Sequence, residues 1–185
     1  MLVKRNYQKK ASVSLRELPE RYTSTASEKN SLKRDRASLC SEVYTIKKVI
    51  FICTGNSCRS QMAEGWARSF ISSSKKGGSA YSAGVSPAGL NPLAVKVMSE
   101  IGIDISAQSS DPISNFDLNT FNFCVTVCSD ADKHCPILSP QIKKTHWPLE
   151  DPAAFDGSLD ERYSMFRRSR DEIGILVEKF IGSFF

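Results

Sequence analysis

The sequence predicts an α/β fold, a three-layer sandwich on a parallel central sheet, and three observations point there. Residues 49–52, Val-Ile-Phe-Ile, form a short continuous apolar run, the signature of a strand buried on both faces. A small polar turn and an amphipathic helix follow it directly. Residues 121–127 form a second continuous apolar run, separated from the first by helical patterning. Strands separated by helices pair in parallel through right-handed crossovers.

The elements follow in order. Residues 1–46 read as a flexible, basic, Ser-rich extension and residues 47–185 as one domain. Residues 1–48 hold 12 Lys or Arg against 5 acids (12 − 5 = +7), and residues 49–185 hold 13 against 15 (13 − 15 = −2). The chain's net +5 therefore belongs to its front, and the folded part gives no reason to expect a nucleic-acid partner. The Arg and Ser content of the extension resembles a transit peptide, but its acids weigh against that, and it lacks the apolar core of a secretory signal. Cys40 lies in this extension and reads as a thiol without function.

After the first strand, residues 54–60 form the turn, and Met62, Ala63, Trp66, Ala67, Phe70 and Ile71 recur at helical spacing. This helix is expected to end near Lys75-Lys76-Gly77-Gly78. A strand over residues 80–83 and a helix over 91–101 come next, the helix opening on Asn91-Pro92, an N-cap and a first-turn proline. Residues 121–127 are the next strand, and 128–135 a polar, loosely helical segment. Leu159, Tyr163, Phe166, Ile173, Val177, Phe180 and Phe184 mark one face of a long closing helix. In such sheets the site lies at the carboxyl ends of the strands, where Cys53 and Cys128 both fall.

Composition narrows the class further. Apolar residues are 41% and charged residues 24%, the balance of a soluble globular protein, and no run nears the ~18 apolar residues of a membrane span. No membrane partner is expected. Six cysteines without a secretory signal argue for a reducing compartment, the cytoplasm, where thiols tend to be catalytic or metal-binding.

Cys53-Thr54-Gly55-Asn56-Ser57-Cys58-Arg59-Ser60 has the form Cys, five residues, Arg, Ser, between a buried strand and a helix. Successive backbone N–H groups of a tight loop feeding a helix N-terminus make a concave anion site. The same field favours a thiolate at Cys53. Arg59 offers two parallel donors to a tetrahedral oxyanion, which Lys cannot do with that geometry. Ser60 is placed to donate to the sulfur, and Gly55 and Asn56 suit left-handed backbone. Thr54, Gly55, Asn56, Ser57, Cys58 and Arg59 are thus the candidate oxyanion-binding set, the Cys58 side chain being read as turned away and packed. The ending lacks the Gly-Lys-Ser/Thr of a Walker-type loop.

Residues Cys53 to Ala67, Cys-Thr-Gly-Asn-Ser-Cys-Arg-Ser-Gln-Met-Ala-Glu-Gly-Trp-Ala, closely resemble the thioredoxin-coupled arsenate reductases, which share the low-molecular-weight tyrosine phosphatase fold. The resemblance runs on through Tyr81-Ser82-Ala83-Gly84, Gly89-Leu90-Asn91-Pro92, Gly102-Ile103-Asp104-Ile105-Ser106, Asp151-Pro152-Ala153 and Arg170-Asp171-Glu172-Ile173-Gly174. It spans roughly residues 48–180 and implies a four-stranded parallel central sheet.

What the resemblance implies about chemistry is specific. Cys53 is the nucleophile toward arsenate, and Asp151 the acid that protonates the departing hydroxide; on spacing alone Asp151-Pro152 reads equally well as a turn. Cys128 attacks Cys53 while it carries arsenic, expelling arsenite, and Cys135 takes the disulfide onward, with thioredoxin, or glutaredoxin and glutathione, as reductant. A phosphatase acting on phosphotyrosine or small phosphoesters is the alternative, since it needs only Cys53, Arg59, Ser60 and Asp151. The resemblance also implies a potassium site at Asn56, Glu64, Ser82 and Asp111 in some members. A monomer is expected. Zinc on Cys124, Cys128, Cys135 and His134 or His146 is the competing account, disfavoured by ligand spacing. Cys124 reads as core, and both histidines as structural or solvated.

Overall fold

A computed structural model describes residues 46–74 and 77–185. The predicted amino-terminal extension up to residue 45, with Cys40, and the Lys75-Lys76 pair lie outside the described residues. The elements are β1 (Lys47–Cys53), α1 (Arg59–Ser74), β2 (Gly78–Gly84), α2 (Pro92–Ser99), β3 (Phe123–Thr126), α3 (Ser129–His134), β4 (Lys143–His146) and α4 (Leu159–Phe184). Two 3₁₀ turns, Ile113–Asn115 and Leu118–Thr120, lead into β3. All four strands are parallel, in the order β2-β1-β3-β4, as a chain alternating strand and helix requires.

Central β1 explains the continuous apolar run: Val49, Ile50, Phe51 and Ile52 are all fully buried. Residues paired in parallel register project to the same face of the sheet. On one face Phe51 packs on Trp147, Phe123 meets Phe180 edge-on with centroids 5.3 Å apart, and Ser82 reaches Glu64 of α1. This face carries α1, α2 and α4. On the other face lie Ile50, Tyr81, Cys124 and Lys144, in register across four strands. Tyr81 there packs edge-on against Phe116 and Phe121, and Thr126 bonds Asp132 of α3. The two outer layers are therefore unequal, three helices on one side and α3 with the 3₁₀ turns on the other.

Several boundaries have legible causes. Asn91 caps α2, its side chain accepting from Leu93 N–H at 2.8 Å. Ser158 and Glu161 form a capping box at the start of α4. One strand has no local cue and one expectation needs correction. The Lys-Lys-Thr-His of β4 lacks apolar residues, in keeping with a sheet edge, where charged side chains discourage further pairing. Leu159 was expected on the buried face of the closing helix but is 60% exposed, because the buried positions of α4 begin only at Phe166.

Candidate active site

The loop after β1 closes around the Cys53 sulfur, and its conformation follows from where its carbonyls go. The carbonyls of Cys53, Thr54, Gly55 and Ser57 accept from the N–H groups of Val85, Ser86, Ala88 and Asn91 at 3.2, 2.8, 2.9 and 3.1 Å. A trans peptide points its N–H opposite its C=O, and no peptide among the described residues is cis. The N–H groups of Thr54, Gly55, Asn56 and Cys58 therefore face the loop interior. One of them, Asn56 N–H, donates to Cys53 Sγ at 3.1 Å. The loop ends on the first turn of α1, which adds the positive end of its dipole.

Asn56 is the keystone. It is fully buried with φ +42°, the left-handed backbone that favours Asn among side-chain-bearing residues. Its Nδ2 donates to Ser60 Oγ at 2.9 Å and to Ser82 Oγ at 2.8 Å, and its Oδ1 accepts from Asp111 N–H at 2.8 Å. Ser60 Oγ, which accepts from Asn56, lies 3.0 Å from Cys53 Sγ, where its hydroxyl can donate to a thiolate. A thiolate at this sulfur would receive two hydrogen bonds, from Asn56 N–H and from Ser60, each of which stabilises an anion. Gly55 departs from expectation: its φ is outside the left-handed region, and a Cβ there would meet only ordinary contacts at 3.6 and 3.8 Å. The glycine that the loop needs is Gly84, at the end of β2, where a Cβ would lie 2.9 Å from Asn56 N and Thr54 O.

Arg59 is buried and spans the loop to the segment before α4. Its Nη1 donates to Leu149 C=O at 3.0 Å and its Nη2 to Asp151 Oδ2 at 2.8 Å. Asp151 serves the turn as well: Oδ1 accepts from Ala153 N–H at 3.1 Å. One oxygen of Asp151 thus serves the arginine and the other the turn. The Asp151 side chain is 41% exposed while that of Arg59 is 10% exposed, so the carboxylate is the partner free to swing. Cys53 retains 3% exposure, at the floor of the loop.

Cys128 follows β3 at the strand end beside Cys53, since Val127 N–H donates to Ile52 C=O at 2.9 Å. Its Sγ lies 3.3 Å from Thr54 Oγ1 in the loop itself, and it caps α3 by accepting from Ala131 N–H. Cys135 is the C-cap of the same helix, half-buried, and bonding to Cys124 brings its thiol down to about 7. The two sulfurs thus stand at opposite ends of α3, about 10 Å of helical rise apart, beyond the ~4.4–6.8 Å between α-carbons that a disulfide allows. A Cys128–Cys135 bond requires α3 to unwind. The helix suits that: six residues long, with only Ala131 buried and its anchors polar, Thr126 and Lys144 both on Asp132.

The remaining candidates sort cleanly. Cys58 is buried and its thiol pushed up to about 12, chiefly by desolvation, as a packed side chain would be. His134 bonds within α3 at Asp130, and His146 bonds Thr126. Sequence reasoning passed over Gln61, fully buried, whose Nε2 ties Asn56 C=O to Ser109 C=O at 3.0 and 2.8 Å. A polar residue two places into a helix behind an anion loop was the available signal. Thr54 was expected only through its N–H, yet its hydroxyl links the loop to Cys128 and Asp130.

The four residues of the implied potassium site do converge. Glu64, Ser82 and Asp111 line a cavity of about 220 Å³ with Ser109 and Gln108, and Asn56 backs it through Ser82. Ser82 Oγ donates to Glu64 Oε2 at 2.6 Å, and Arg68 pairs with the other Glu64 oxygen. Burial holds the Glu64 carboxyl above its usual range, and the negative charge of Asp111 adds to that. Two carboxylates and neutral oxygens around one polar cavity are the donors a hard monovalent cation takes, although the Arg68 guanidinium lines the same cavity and already pairs with Glu64.

Comparison with known proteins places this arrangement. The model of the low molecular weight phosphotyrosine protein phosphatase family matches residues 48–184. The arsenate reductase of Bacillus subtilis (strain 168) is 49% identical over 134 residues, 72% of this chain and 94% of that protein. That of Shouchella clausii (strain KSM-K16) is 50% identical over 135 residues, 72% of this chain and 95% of that protein. A solved arsenate reductase in its phosphate-binding state superposes with TM-score 0.60 at 34% identity, covering 76% of this chain and 100% of that one. A low molecular weight protein tyrosine phosphatase from T. tengcongensis superposes with TM-score 0.65 at 25% identity, covering 75% of this chain and 99% of that one. The chain belongs to the low molecular weight phosphotyrosine protein phosphatase family.

Proposed function

We infer that the chain is an arsenate reductase, and propose that it works through a Cys53-Cys128-Cys135 relay that a dithiol protein of the thioredoxin kind resets. Relatives at 49–50% identity that bear the name arsenate reductase support the activity. One observation carries the relay: Cys128 adjoins the oxyanion loop through Thr54, while Cys135 waits at the far end of a short, weakly anchored helix. A phosphatase needs neither thiol.

In the first step the inward N–H groups and Arg59 bind the oxyanion, and the Cys53 thiolate attacks arsenic. An arriving anion competes for Arg59 Nη2, which frees Asp151 to carry a proton to the departing hydroxide. Cys128 then attacks Cys53 Sγ. The S–As bond breaks with its electron pair left on arsenic, so arsenite departs and Cys53 and Cys128 are left as a disulfide. Cys135 attacks Cys128 Sγ as α3 unwinds, Cys53 leaves as thiolate, and the Cys128–Cys135 disulfide is presented outward for reduction. Every residue needed comes from one chain, so a monomer suffices. The use of free thiols supports a reducing compartment, the cytoplasm, and a role in arsenic detoxification. No described helix is long and apolar enough to cross a membrane.

The test is a steady-state arsenate assay with the thioredoxin system or with glutaredoxin and glutathione supplied separately. Sustained arsenite production is expected with thioredoxin, and sustained production with neither system contradicts the relay. Arg59→Lys is expected to lower kcat/KM for arsenate and for a phosphoester alike by about 10²-fold, the loss of a paired donor from an oxyanion site. An Arg59→Lys enzyme within twofold of the parent on both substrates rules out bidentate binding.

Potassium at Asn56, Glu64, Ser82 and Asp111 would brace the Asn56 keystone of the loop. Melting in potassium chloride against choline chloride of equal ionic strength checks it. At ten times its dissociation constant the ion stabilises by about 1.4 kcal/mol, or about 4 °C in Tm. The sign with pH follows from Glu64, whose carboxyl burial raises in the fold. The ion-free protein loses stability as pH rises through that raised value, so the potassium increment grows as Glu64 ionises and fades as acid protonates it. An equal Tm in the two salts at pH 7 removes the site.

A further inference from the structure

Five peptide groups join Cys53 to Cys58, and four of them are turned by backbone donors, the N–H groups of Val85, Ser86, Ala88 and Asn91. The remaining one, between Asn56 and Ser57, is turned by a side chain. Its C=O accepts from Gln61 Nε2 at 3.0 Å, and the same nitrogen donates to Ser109 C=O at 2.8 Å. Both carbonyls only accept, so Gln61 must present its NH₂ to them, and its Oε1 in turn accepts from Gln108 Nε2 at 2.7 Å. Both polar atoms of this fully buried side chain are therefore engaged. A methionine of similar length would fill the same space with nothing to satisfy.

Gln61 is one half of a brace. The other half is the segment 108–111, which meets the loop at each residue. Gln108 and Ser109 do so through Gln61, Ser110 Oγ at Gly55 C=O, and Asp111 N–H at Asn56 Oδ1, 2.8 Å away. The segment is itself fixed, because Asp111 C=O accepts from Gly84 N–H at 2.8 Å at the end of β2. Asn56 is thus gripped at both its carbonyl and its side chain. Its φ of +42° is a conformation that few residues with a side chain adopt unaided.

A peptide plane carries its N–H opposite its C=O. With the Asn56 C=O drawn back to Gln61 in α1, the Ser57 N–H is aimed into the loop interior, beside those of Gly55 and Cys58. Half a turn of that one plane would replace the donor by a carbonyl, whose dipole has the wrong sign for an anion. We propose that Gln61 is a positioning residue: its Nε2 holds the Asn56–Ser57 peptide so that Ser57 N–H, and not Asn56 C=O, faces the oxyanion. The proposal rests on reading the loop as the oxyanion site, and it concerns binding alone.

The experiment uses inorganic phosphate as the probe, at fixed potassium concentration, on the full chain and its Gln61→Met variant. Two readouts are taken: the dissociation constant by calorimetry, and the ¹H–¹⁵N spectrum of the loop amides during the titration. In the parent the Ser57 amide is expected to move downfield as phosphate binds, together with those of Gly55 and Cys58. A nitrogen–carbon coupling across the Gln61–Asn56 hydrogen bond is expected there with and without phosphate. In Gln61→Met, phosphate is expected to bind about 10- to 100-fold more weakly, the worth of one hydrogen bond to a charged group. The Ser57 amide is expected to lose its downfield shift while Gly55 keeps its own. A thermal melt shows that the variant is folded at the temperature used.

A merely structural Gln61 would lower the melting temperature and leave the folded variant's phosphate affinity unchanged, and that result overturns the proposal. Weaker binding with the Ser57 shift retained overturns it too, because the loss then lies elsewhere. So does a parent in which the Ser57 amide stays put while its neighbours move, or in which phosphate abolishes the Gln61–Asn56 coupling. Those two parent readings need no variant and decide the matter if Gln61→Met does not fold. A parent that binds no phosphate is a different failure, since it removes the oxyanion site itself and the proposal with it.

Discussion

Cys128→Ser is expected to lower arsenate turnover by at least about 10³-fold while leaving phosphoester hydrolysis within about threefold of the parent. The asymmetry follows from which bonds each reaction breaks. Hydrolysis of a phosphoester ends when water attacks the phosphorus on Cys53, and the groups around that atom are the loop N–H groups, Arg59 and Asp151. Reduction instead needs a second sulfur to attack Cys53 Sγ, and a serine hydroxyl in that place forms no such bond. The substitution is conservative in the fold: Cys128 caps α3 by accepting from Ala131 N–H, and serine caps helices at least as well. The measurement is a pair of assays on one preparation, arsenite release with thioredoxin and hydrolysis of p-nitrophenyl phosphate. Parallel loss of both activities means that Cys128 shapes the loop through Thr54 rather than acting as a sulfur nucleophile.

Cys135→Ser is expected to behave differently again, releasing one arsenite per chain and then stopping. Cys53 and Cys128 adjoin at neighbouring strand ends and complete the first electron transfer without Cys135. Without the resolving thiol, Cys53 remains locked in its disulfide at the loop floor, where 3% exposure keeps a protein reductant away. Rapid-quench measurement of arsenite at a known chain concentration checks this. A burst near one with a steady rate at least about 10²-fold below the parent is expected. Sustained turnover means that an external thiol reaches Cys53–Cys128 directly, which leaves Cys135 and the unwinding of α3 without a role.

Much of this site was legible in the chain because its parts are local. The run Val49–Ile52, the loop with Arg59 and Ser60, and the periodic face of α1 fall within twenty-five residues, and each follows from short-range rules. Asn56 was readable as a left-handed residue, but two of its hydrogen-bond partners, Ser82 and Asp111, come from β2 and the segment before the 3₁₀ turns, and only folding brings them to it. The Gly84 contact with the loop depends on strand order and register, which no local pattern encodes. β4 was missed for the opposite reason: as an edge strand its sequence is selected against looking like a strand. Cys124 reads as core, and its full burial bears that out.

The central claim is that a tetrahedral oxyanion held by the loop drives a disulfide between Cys53 and Cys128 before any other. Peptide mapping of the Cys135→Ser chain, alkylated after one equivalent of arsenate and without reductant, tests it most directly. The account predicts a Cys53–Cys128 disulfide formed in step with arsenite, and Cys58 and Cys124 alkylated as free thiols once the chain is denatured. Arsenite released without that disulfide, or a disulfide that leaves out Cys53, contradicts it.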